Sequence, residues 1–63
     1  MIRLGKIIHL EKDQGLIVDE NEQDIPFDTL DCPDGLYIGA EVSFRIILAL
    51  DGLMAAQICL LSV

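Results

Sequence analysis

The side chains able to do chemistry in this sequence are few and scattered. His9 is the only histidine and Cys32 and Cys59 are the only cysteines. Eleven acids stand against four basic residues, Arg3, Lys6, Lys12 and Arg45. A histidine can titrate near neutral pH or stack on a base. Nucleophilic catalysis would need it beside a serine or cysteine and oriented by a third group. No such motif is present, and no glycine-rich phosphate loop. A zinc site needs four ligands at paired spacings, and His9 has no paired spacing with either cysteine. Seven acids, Asp19, Glu20, Glu22, Asp24, Asp28, Asp31 and Asp34, crowd into residues 19–34 without a basic residue among them. A calcium loop started at Asp19 would need glycine at its sixth position and glutamate at its twelfth. The chain has Asp24 and Leu30 there. Solvated turns and an exposed strand face are the expectation for this stretch. The sequence predicts no enzyme, no metal and no cofactor.

Composition narrows the partners. At net charge −7, the chain lacks the clustered Lys and Arg with which nucleic-acid binders neutralise phosphate. Hydrophobic residues make up 52% of it, but Phe27, Tyr37 and Phe44 are its only aromatics, so aliphatic side chains must build the core. A 63-residue chain buries only about 60% of its unfolded surface, and so must pack its apolar residues efficiently or cover some with a partner. No apolar stretch is long enough for a signal peptide or a membrane span. With two cysteines expected as thiols in a reducing compartment, the cytoplasm is the expected location.

The elements that must position these residues are strands. Helical periodicity is weak, and short β-branched runs are bounded by turn residues. Residues 2–10 form a first strand with a bend or bulge expected at Gly5, and "EKDQ" turns into a second strand at "GLIV". "DENE" makes a hairpin loop into a third strand around "DIPF", where Pro26 requires a sheet edge or a bulge. Residues 28–39 are irregular. In "AEVSFRIILAL", Val42, Phe44 and Ile46 alternate with Glu41, Ser43 and Arg45, which predicts one buried and one exposed face. "DG" at 51–52 is a hairpin signal leading to a fifth strand, "LMAAQICLL". Five short strands at this spacing predict an all-β domain over residues 1–63, a small five-stranded antiparallel barrel.

At this resolution the chain resembles the bacterial cold-shock domain family, whose members are OB-fold barrels. "GKIIHL" is similar to the family's opening strand, "GLI" to the end of its first RNA-binding motif, and "DIPF" to the start of its second. "GAEVSFRI" and "DGLMAAQI" resemble its fourth and fifth strands without a gap. The resemblance implies a single-stranded nucleic-acid face on the first three strands. Lys6, His9, Lys12 and Leu16 are the residues here that fall at matching positions.

That face departs from the pattern. Leu16 replaces one exposed phenylalanine, Pro26 another and Thr29 a third, Asp28 replaces a histidine, and His9 stands at the family's exposed tryptophan. Phe27 falls at an inward valine position. Base–aromatic stacking contributes roughly 1–3 kcal/mol per base, so three lost platforms remove on the order of 3–9 kcal/mol if the terms add. Nucleic acid is therefore expected to bind weakly at best.

The aliphatic surplus points elsewhere. "FRIILAL" and "LMAAQICLL" are apolar at consecutive positions. With Phe44, Ile46, Ala56 and Ile58 inward, alternation turns Ile47, Cys59 and Leu61 outward. Contiguous exposed apolar patches mark interaction surfaces, so a protein partner or a homo-oligomer is the expected ligand, contacted through these three residues.

Overall fold

The structure, a computed structural model, describes residues 2–50 and 52–61, without the side chain of Asp31. Five strands form in the predicted order: β1 (Arg3–Leu10), β2 (Gln14–Asp19), β3 (Asp24–Asp28), β4 (Glu41–Ala49) and β5 (Gly52–Leu60). They close into a barrel in the order β1-β2-β3-β5-β4, the topology of an OB fold. Four pairings are antiparallel as expected. The fifth, between β3 and β5, is parallel and is recorded at one position, Phe27 opposite Ala55. Pro26 thus sits on the strand that forms the barrel's thinnest seam, where a residue without an N–H costs least.

Side chains from every strand meet inside. Ile7, Ile17, Phe27, Val42 and Phe44 are essentially inaccessible to solvent, and Ile25, Ala40, Ala55 and Ile58 complete the buried cluster. Two glycines make room for the two rings. A Cβ on Gly15 would lie 2.5 Å from Phe27 Cζ. One on Gly5 would lie 2.6 Å from both Ile17 Cγ2 and the Val18 carbonyl, and 3.0 Å from Phe44 Cε1. Gly5 therefore answers to crowding, and the bulge expected there falls between Ile7 and His9 instead. The bulge adds Ile8 to β1 and breaks its period of two. Ile8 and His9 are consequently both exposed, while Leu10 packs against the core.

A second irregularity corrects the predicted core. The β4–β5 register shifts between Ser43 opposite Cys59 and Arg45 opposite Ala56, leaving one extra residue on β5. Gln57 there takes φ 53°, the left-handed conformation that bulges exploit. The inward residues of β5 are Ala55 and Ile58, three apart, and not Ala56 and Ile58. Ile46 packs against the cluster as expected but is only partly buried. Of the predicted "DG" turn, Asp51 lies outside the described residues, and Gly52 opens β5 opposite Ala49 at φ 123°.

The acidic stretch is not uniformly solvated. Asp19 is buried: its Oδ1 accepts the Asn21 and Gln23 amides at 2.9 and 3.0 Å, and its Oδ2 faces Arg3 Nη1 at 3.6 Å. It holds the β2–β3 turn, in which Glu22 takes φ 62°. Asp28 is also structural. Its carboxylate accepts the Leu30 amide at 2.8 Å and caps a 3-10 turn, Thr29–Asp31, so Thr29 leaves the sheet.

Two substitutions test this account by urea unfolding. Gly5→Ala is expected to cost about 1–3 kcal/mol through overpacking against backbone that cannot yield. Asp19→Ala is expected to cost about 1.5–3 kcal/mol, because two turn amides lose a charged acceptor.

Candidate functional site

Two surfaces compete for function: the outer face of β1–β3 and the outer end of the β4–β5 ribbon. The first is organised by register. His9 lies opposite Leu16, and Leu16 opposite Pro26. The three form a row across adjacent strands, and with Glu11, Gln14 and Gly15 they line a shallow hollow. The β1 bulge is what makes this possible, since strict alternation from buried Ile7 would aim His9 into the core.

Of the four sequence-predicted residues on this face, the structure brings His9 and Leu16 together. Lys6 lies further along β1, opposite Val18, which in turn faces Asp24. Lys12 stands in the β1–β2 turn and does not line the hollow. Its backbone carbonyl accepts the Thr29 hydroxyl at 2.9 Å, and Thr29 N–H donates to the Asp13 carbonyl at 3.2 Å. These bonds tie the turn to the 3-10 segment.

Charge on this face is mixed and locally negative. His9 Nε2 is 3.5 Å from Glu11 Oε1, and Gln14 Nε2 donates to Glu11 Oε2 at 3.1 Å. The Gln14 hydrogen bond first, and the contact with His9 second, hold the Glu11 carboxyl below its ordinary range. Gln14 is itself paired across the sheet with Asp28. A phosphate approaching His9 would therefore meet Glu11 at contact, with Asp24 and Asp28 two strands away on β3. The hollow contains no cysteine, serine or threonine beside the imidazole. Among the described residues, no group of three His, Cys, Asp or Glu side chains could hold a metal ion.

The second surface is apolar. Ile47, Cys59 and Leu61 all point outward as expected, but they do not converge. Ile47 borders a depression with Asp28, Cys32 and Met54. Cys59, an exposed free thiol, borders another with Ile2, Ser43 and Arg45. Leu61 closes a third with Leu4, Lys6, Val18 and Glu41. The strongest exposure on the ribbon itself lies at three residues that alternation did not select, namely Leu48, Leu50 and Leu53 at its far end. The signal for them was the run "IILAL" itself, read as strand without allowance for the ribbon outrunning the barrel.

Comparison with known proteins adds no assignment: no family model matches the chain, and no curated protein is significantly similar to it. No described helix is long and apolar enough to cross a membrane.

The acid–base contact on the first surface can be tested directly. In an NMR pH titration Glu11 should titrate below an unperturbed glutamate. Gln14→Ala and His9→Ala should each return it part of the way. The depressed value means that any stability from this contact is present above the unfolded-state pKa and is lost as pH falls through the folded one.

Proposed function

We propose that this chain is a non-catalytic, cold-shock-like OB-fold module of the cytoplasm that acts mainly through protein contact, its ancestral nucleic-acid face largely lost. The observation that carries the reading is a contrast between two surfaces. The outer face of β1–β3 presents His9, Leu16 and Pro26 where stacking would need aromatic rings, under Glu11, Asp24 and Asp28. The β4–β5 ribbon presents large aliphatic side chains to solvent, Leu48 at 82% and Leu53 at 57% exposure. Fully burying a side chain of this kind stabilises by about 1.5–3 kcal/mol, which is the driving force a protein contact would draw on.

A second reading, weak single-stranded DNA or RNA binding, is favoured by one observation. His9, Leu16 and Pro26 lie in a single cross-strand row lining a hollow, with Lys6 on the same strand as His9. Such a row could hold one base against an imidazole and two aliphatic surfaces. It offers fewer stacking platforms than nucleic-acid modules use.

Labelled oligo-dT and oligo-U titrated at low salt separate the two. No saturable binding into the hundred-micromolar range, on the order of −5 kcal/mol, is the expected outcome. Salt-sensitive binding at micromolar levels that disappears in His9→Ala would overturn the protein-contact reading in favour of the second.

A further inference from the structure

The β4–β5 ribbon continues past the places where the barrel holds it. Among the described residues, pairing of β1 with β4 begins with Arg3 opposite Phe44, and β3 meets β5 at Phe27 opposite Ala55. Beyond these points the ribbon runs on through Ile46 opposite Ala55, Ile47 opposite Met54, Leu48 opposite Leu53, and Ala49 opposite Gly52. By alternation, Leu48 and Leu53 share a face with Ile46 and Ala55. Ala55 belongs to the buried core and Ile46 packs on it. The core-side face therefore leaves the barrel and carries on into solvent, with Leu50 fully exposed where β4 ends.

From this geometry we infer that the projecting core-side face, centred on Leu48 and Leu53, docks against the same face of a second copy of this chain. The inference rests on the protein-contact reading above and supplies its partner. Two further observations select that partner. The first is area. The chain exposes 4597 Å², whereas a compact monomer of its mass, 7.0 kDa, would expose about 4,000 Å². The excess, on the order of 500 Å², is shared between the ribbon and exposed Ile2, Leu30, Tyr37 and Ile38, so the ribbon supplies part of the roughly 800 Å² that each partner contributes to a standard interface.

The second observation is charge. From Ile46 to the end of the sequence Asp51 is the only charged residue, in a chain of net charge −7. A basic partner would be drawn to residues 19–34 and would find only Asp51 to pair with on the projecting part of the ribbon. A second copy needs no complementary charge. A two-fold contact sets one patch against itself, and an uncharged apolar patch is self-complementary. Asp51 apart, it also keeps the acids of two like-charged molecules out of the contact, so most of the remaining repulsion acts at long range and salt screens it.

Sedimentation equilibrium on the whole chain, from about 10 µM to about 1 mM and at about 50 and 500 mM NaCl, tests the inference. A reversible monomer–dimer equilibrium that tightens with salt is expected. Leu48→Glu and Leu53→Glu should each weaken it at least about tenfold, or 1.4 kcal/mol. Both positions are exposed in the monomer, so far-UV circular dichroism and amide dispersion should stay unchanged. A monomer across the whole range at both salts would overturn the inference. So would a dimer indifferent to both substitutions, or one that weakens as salt rises. A monomer that also fails to bind oligonucleotides removes only the second copy as partner. A monomer that binds them removes the protein-contact reading as well.

Discussion

Two phenylalanine rings, each laid against a glycine, set the geometry on which this barrel depends. Phe27 occupies the space over Gly15 on the neighbouring strand, and Phe44 reaches the space over Gly5. A 63-residue chain has little apolar volume to spend on closing a cylinder, and its third aromatic, Tyr37, lies outside at 60% exposure. The two rings must therefore reach the middle of the barrel, which they can do only where the facing strands carry no side chain. With the rings seated, Ile7, Ile17 and Val42 fill the remaining interior. The same contacts tie β1, β2, β3 and β4 into one packing unit.

Around this core the two bulges decide which residues face outward. The β1 bulge turns His9 out beside Leu16, and the β5 bulge at Gln57 exchanges Ala56 for Ala55 in the interior. The outer row can vary in chemistry while the inner one is held fixed, so the shape of the barrel does not depend on which side chains line its outer face. Function follows the outer residues and not the fold.

The strands themselves were legible because each apolar run is short and bounded by turn residues. Turn chemistry at "EKDQ" and "DENE" and alternation in "EVSFRI" led to the observed elements. Position within the elements was less legible. A bulge inserts one residue without a distinctive composition, so Ile8 and Gln57 look like ordinary strand residues in the sequence. Gly5, which does look like a bulge residue, is required by the side chains and carbonyl across from it. Asp19 sits among six other acids and reads as solvated, yet it is buried and its carboxylate accepts two turn amides. On the candidate surfaces, outward-facing Ile47, Cys59 and Leu61 followed from alternation. The run "IILAL" signalled apolar residues on both faces, but the exposure of Leu48 and Leu53 depends on where neighbouring strands stop, which is a tertiary fact.

The single recorded pairing between β3 and β5 has a kinetic side. The chain divides into a three-stranded meander, β1–β3, and a hairpin, β4–β5, each built from neighbours in sequence and each able to form early. Closing the cylinder then requires Phe27 to find Ala55 across nearly half the chain, a contact of high sequence separation that slows folding. The seam is also where the closed barrel has least backbone pairing to lose. Local opening should begin there, with β3 swinging on its ladder to β2 while the rest of the sheet stays intact. Such breathing would briefly expose Phe27, one of the two rings the barrel is built on.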